Sequence, residues 1–158
     1  MINAIHIFDL DGTLVDSSHR YATLFNGEKV TIDIDHWRAN EHRFTSDSLL
    51  PLADTFKALN TSENVYTIWI TARTEKHMNE SEAWLIEKLG KPNKMFCRPN
   101  GNNESGATLK AKQLKSFLNL RQFATAEKTF YEDNKSYLNT VCAAINAKPV
   151  YIESKQGH

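Results

Sequence analysis

Two carboxylates set two residues apart, Asp9 and Asp11, close an apolar run near the start of the chain and are followed by Gly12 and Thr13. If strand geometry continues through Asp9, both side chains can turn toward one site while Leu10 points away. Two such charges repel by about 4 kcal/mol at 4 Å and an effective dielectric near 20. A cation between them, or a proton on one, relieves that. The chemistry suggested is a nucleophile beside an acid/base, with a metal nearby. The same residue types also suit a plain turn. A calcium loop fits worse, because the positions that should supply oxygen ligands are Thr13 and Val15, and the twelfth residue from Asp9 is Arg20.

Three later segments carry further reactive types. Ile68-Trp-Ile-Thr71-Ala72-Arg73 ends an apolar run in a hydroxyl and a guanidinium. Thr71 and the backbone N–H groups after it can donate to phosphate oxygens, and Arg73 can fork onto the same group. A helix N-cap is the competing reading of Thr71. Lys110 and Lys112 open a helix-like stretch and compete for one role, neutralising a phosphate and its nucleophile; surface lysines are the alternative. Phe130-Tyr-Glu132-Asp133 ends another run in two acids. These would add to the repulsion around Asp9 and Asp11 unless Mg2+ is bound there. Helix capping by Asp133 is the rival reading.

The elements that must position these groups alternate. Strand-like runs lie at residues 4–8, 65–70, 94–97, 128–131 and 150–152. Amphipathic helices are expected over 49–59, 75–89, 107–118 and 134–147. This alternation predicts an α/β fold, a Rossmann-like parallel sheet with helices on both faces in three layers. Residues 14–48 break the pattern. They are polar and irregular, and read as a flap or minimal cap over the site. One domain over 1–153 is expected, with 154–158, including His158, as a loose tail.

The 158 residues carry no formal net charge, so global attraction to nucleic acid or membrane is not expected. Cys97 and Cys142 form no metal pattern and read as reduced thiols. No apolar run is long enough to span a membrane, and the start lacks a signal sequence. The expectation is a cytoplasmic protein with no membrane association and no obligate protein partner. Lys91, Lys94, Arg98, Lys110, Lys112 and Lys115 make residues 91–115 locally basic against Glu104 alone, which suits phosphate-rich ligands.

Taken in chain order, Asp9-Leu-Asp-Gly-Thr13, Thr71, a lysine at 110 or 112 and Glu132-Asp133 resemble the haloacid dehalogenase-like (HAD) phosphohydrolase superfamily. The resemblance spans nearly the whole chain. It implies a phosphatase in which Asp9 attacks phosphorus to form an aspartyl-phosphate and Asp11 protonates the leaving oxygen, then activates water. Thr71, with Thr13 and the Ala72 and Arg73 segment, holds the phosphoryl oxygens. Asp9, Asp133, the Leu10 and Asp11 carbonyls and, as a helper, Glu132 hold Mg2+. Within the superfamily, Thr71-Ala-Arg73 and Met95-Phe-Cys-Arg98-Pro99 are similar to polynucleotide 3′-phosphatase domains of end-healing enzymes. That spacing favours Lys110 over Lys112 and adds Arg98 to the substrate site. The acidic positions of the 3′-phosphatase loop are Asn102 and Gly106 here. Trp37-Arg-Ala-Asn40 resembles a stretch in small stand-alone HAD proteins of lytic phages, whose location would be the host cytoplasm. A nucleotide or a nucleic-acid 3′-phosphate end is the implied substrate. Trp37 or Tyr21 would stack on a base, or Trp37 would anchor the flap, and His19, Arg20 and Arg38 would line the entrance. A phosphatase of another metabolite, a phosphotransferase and a non-catalytic binding protein are the alternatives.

Overall fold

The computed structural model describes residues 1–154; the expected tail beyond Ser154 lies outside the described residues. The sheet is built around β1 (Ala4–Phe8), which pairs in parallel with β6 (Val65–Thr74) on one side and β8 (Glu127–Glu132) on the other. Outside these lie β7 (Lys94–Arg98) and β9 (Lys148–Tyr151), giving the all-parallel order β7-β6-β1-β8-β9. Alternation along β1 explains why the sheet is covered twice. Ile5 and Ile7 enter one core with Leu114, Phe123 and Val141, under α4 (Gly106–Leu118) and α5 (Lys135–Ile145). Phe8 enters the other with Phe56, Trp69 and Leu85, under α2 (Leu52–Asn60) and α3 (Glu75–Leu89). Each fully buried side chain of this size contributes about 2 kcal/mol. This is the three-layer α/β fold expected.

Boundaries differ from the expected ones for local reasons. Helix α2 starts at Leu52, not Leu49, because Pro51 stands at its N-terminus and Leu49 pairs with Val15. Strand β9 begins before the expected Val150 and includes Pro149, which an edge strand tolerates because no further ladder bond is required of it. Helix α5 stops at Ile145, where Asn146 adopts the left-handed conformation, φ 55°.

Residues 14–48 fold into small pieces rather than a loop. Val15–Asp16 (β2) pairs with Ser48–Leu49 (β5) at the root. Above it stand the antiparallel hairpin of β3 (Thr23–Asn26) and β4 (Lys29–Ile32), and the short α1 (Ile34–Ala39) capped by Asp33.

Candidate active site

Every reactive segment singled out above meets at the carboxyl ends of β1, β6 and β8, where open parallel sheets place their ligands. Asp9 directly follows β1, and its N–H donates to the Tyr131 carbonyl at 3.0 Å, extending the pairing by one residue. The chain then turns sharply, with Gly12 at φ 82°, a conformation an L side chain resists. The turn folds around the Leu10 carbonyl, which accepts N–H groups from Thr13, Leu14 and Val15 at 2.9–3.1 Å. That corrects one expectation. The Leu10 oxygen is consumed inside the turn and is not available to a metal.

Asp9 is buried at 6% exposure. Lys110 Nζ lies 2.9 Å from its Oδ1, and Thr13 Oγ donates to its Oδ2 at 3.2 Å. Lys110 is itself buried and also donates to Glu132 Oε2 at 2.7 Å. The other Glu132 oxygen accepts the N–H groups of Asp133 and Asn134. Glu132 therefore anchors the lysine. Lys112 is exposed and paired with Glu104 at 2.7 Å, so the structure brings Lys110 and not Lys112 to Asp9. Helix α5 is capped by Asn134, whose side chain accepts from Tyr137 N–H. Asp133 is thereby not the cap. Helix α3 is capped by Thr74, which likewise releases Thr71 from the capping role. Thr71 is buried beside the cleft, its oxygen accepting the Arg73 N–H at 3.1 Å, so its own O–H can still donate to a ligand. The register of β6 against β7 shifts between Ile70 and Thr74, where Thr71 and Arg73 stand.

Asp9, Glu132 and Asp133 each offer an oxygen, all within 4.8 Å of one another. Burial first, and then the neighbouring carboxylates, push Asp9 and Asp133 up to about 7, in Asp9 despite Lys110. Three buried acids against one lysine are short of positive charge. The hard oxygen donors fit a small divalent cation such as Mg2+.

Asp11 sits in a different field. Burial disfavours its charge, but Arg73 outweighs burial and holds the carboxyl well below the usual range, with Arg20 assisting. Arg73 binds it with two parallel bonds, Nε to Oδ2 at 2.9 Å and Nη2 to Oδ1 at 2.7 Å, and Ser17 Oγ adds a third at 2.9 Å. Arg73 also donates to Ser81 Oγ at 2.8 Å, so its guanidinium is not a free phosphate fork. Behind this pair is a second one. Arg20 grips Asp47 through Nε at 3.0 Å and Nη2 at 2.8 Å, and both side chains are fully buried. Arg20 is thus removed from the entrance, where the sequence suggested it. His19 is drawn to Asp47 as well, at 2.7 Å. The Trp37 ring covers Arg20 at 4.2 Å and meets Tyr21 at 4.7 Å, contacts that anchor the flap, and it also lines the cleft. Of the expected basic segment, Arg98 is buried in the loop it closes, donating to the carbonyls of Asn102 and Glu104. Lys94 lies over Phe96 and Phe117.

Asp47 and His77 escaped the sequence reading. Asp47 sits in a polar Thr-Ser-Asp-Ser run that reads as a turn, and His77 in a helix's first turn. Neither carries a signal until the flap folds back on β6. The cleft itself, about 340 Å3, has Asp9, Asp11, Thr71, Ala72 and Lys110 at its floor and the flap and residues 102–106 along its walls.

The fold is that of haloacid dehalogenase-like (HAD) domains. Solved structures share the fold. The HAD domain of effector protein Lem4 from Legionella pneumophila matches over 99% of this chain and 88% of its own, with TM-score 0.63 and 14% identity. A chain of the Pnkp1/Rnl/Hen1 complex matches over 97% of this chain and 47% of its own, with TM-score 0.67 and 17% identity. More particularly, residues 1–91 match the bacteriophage T5 5′-deoxynucleotidase family, and the chain belongs to it. The 5′-deoxynucleotidase of Escherichia phage T5 is 33% identical over 92 residues. That match takes in 56% of this chain and 36% of the phage protein, so the chain spans about a third of that relative.

Proposed function

We propose that the protein is a Mg2+-dependent phosphatase that hydrolyses deoxynucleoside 5′-monophosphates through an aspartyl-phosphate on Asp9. The observation that carries this is the Asp9–Lys110–Glu132 cluster beside Asp133 and Thr71, in a chain of the 5′-deoxynucleotidase family. The single domain read over 1–153, with 14–48 as its cap, belongs to the same proposal.

Asp9 Oδ attacks phosphorus in line with the leaving sugar oxygen. Thr71 O–H and the Ala72 N–H receive the phosphoryl oxygens at the floor. Lys110, fixed by Glu132, meets the negative charge that spreads over the equatorial oxygens, which is the main task in phosphoryl transfer. Asp9, Asp133 and the Asp11 carbonyl would hold Mg2+, which would supply positive charge beside the transferring group and favour the ionised form of Asp9 at neutral pH. Asp11 works beside it. Arg73 keeps it ionised in the resting protein, ready to act as the base that takes a proton from water in the second step. In the first step the leaving oxygen needs a proton. A phosphate monoester with a second pKa of about 6 can bring one into the site, and Asp11 passes it on.

The test is hydrolysis of deoxynucleoside 5′- and 3′-monophosphates, ribonucleotides, 3′-phosphorylated oligonucleotides and sugar phosphates, with and without Mg2+. The proposal requires the 5′-deoxynucleotides to lead and Asp9→Asn to abolish turnover. Preference for 3′-phosphorylated ends would move the substrate to nucleic-acid termini. Failure on every monoester would overturn the phosphatase reading.

A further inference from the structure

The cleft is larger than its phosphate-handling floor. Its outer walls come from two separate pieces of chain, the flap and the loop before α4. On the flap side Ile32 and Ile34 line it, and Ile34 is held 52% exposed. Trp37 and Tyr21 line the cleft too, packed on Arg20 and on each other, and the two isoleucines add aliphatic surface to this wall. Two polar side chains reach the same cleft, Arg38 from α1 and Asn103 from the loop. Their neighbours are spent: Asn102, Arg98 and Glu104 bond one another to hold the loop. The Arg38 and Asn103 side chains make no hydrogen bond or close ion pair among the described residues; Arg38 feels the charge of Glu41, which lines the same cleft. An apolar wall facing side-chain donors with no hydrogen-bond partner suits a flat ring whose face is apolar and whose edge carries acceptors.

We infer that Ile32, Ile34, Arg38 and Asn103 form a nucleoside subsite, with the isoleucines against the face of the base and Arg38 and Asn103 on its carbonyl and ring-nitrogen acceptors. This rests on the 5′-nucleotidase reading and adds the residues that choose the substrate. The subsite recognises nucleotides over phosphates that lack a base. A charged donor paired with a base edge is typically worth a factor of ten or more.

The experiment compares deoxynucleoside 5′-monophosphates with 2-deoxyribose 5-phosphate, which keeps the reacting end and removes the base. Wild type, Arg38→Ala, Asn103→Ala and Arg38→Lys are assayed with Mg2+. The expected result is a wild-type preference for the nucleotide in kcat/KM, falling at least about tenfold in each alanine variant through KM, with kcat moving less than about twofold. Arg38→Lys restores part of it. Equal losses on both substrates overturn the subsite and leave the nucleotidase reading standing. A wild type that hydrolyses deoxyribose 5-phosphate as well as any nucleotide overturns both.

Discussion

Replacing Lys110 by methionine tests the electrostatics of the floor. The ammonium lies 2.9 Å from Asp9 and 2.7 Å from Glu132, with all three groups buried. At an effective dielectric near 20 each pair interacts by about 6 kcal/mol. Both interactions vanish in Lys110→Met, while the carboxylates stay in place. With Asp133, the site then goes from a formal charge of −2 to −3. Two opposite consequences follow. The transferring phosphoryl group loses its cation, and kcat should fall about 10²–10³-fold, as for removal of one preorganised charge donor. A cation at Asp9 and Asp133 loses a neighbour of like sign, so Mg2+ should bind several-fold more tightly. Isothermal titration with Mg2+ and steady-state kinetics read the two effects on one sample. Lys112→Met, which removes only a surface pair, should change neither by more than about twofold. Weaker Mg2+ binding in Lys110→Met than in wild type, or more than a tenth of the activity kept, would refute this role for the Lys110 charge.

Other perturbations follow from the same geometry. Asp47→Asn leaves Arg20 buried beside a neutral partner, and urea denaturation should show a loss of about 3–5 kcal/mol, as for broken buried ion pairs. His77 is held down to about 3 by burial and then by Arg73, against an unfolded value of 6.5. The unfolded chain therefore binds the extra proton between those values, and stability is lost as pH falls below 6.5, at up to about 1.4 kcal/mol per pH unit. In His77→Gln the drop in denaturation free energy between pH 6 and 4 should shrink by ~2 kcal/mol. Gly106→Ala places a Cβ 2.5 Å from the Tyr137 ring, whose far end must swing at the cleft wall; KM should rise while melting temperature moves little.

What could be read in the sequence was whatever depends on short-range pattern. β1 and α3 emerge with the bounds expected, because an apolar run ended by Asp9, and a stretch opened by Thr74 and closed by Gly90, are local signals. Asp9, Thr71, Lys110 and Asp133 were legible because parallel topology brings strand ends to one edge whatever the loops do. The flap was not legible. Its organising pairs, Arg20 with Asp47 and Trp37 over Arg20, join residues with no periodic relation, and an arginine near the site reads as a ligand group until its partner is known. The Leu10 carbonyl was misassigned for a similar reason. Three backbone donors converge on it only after Gly12 turns the chain.

In the proposed mechanism Asp9 carries the phosphoryl group. Mixing the protein with a radiolabelled deoxynucleoside 5′-monophosphate and Mg2+, then quenching in acid within one turnover, tests it most directly. Label is expected on the peptide containing Asp9, released by hydroxylamine as an acyl phosphate is, and absent in Asp9→Asn. Rapid release of labelled phosphate, with no protein-bound label at any time in the turnover, would contradict it.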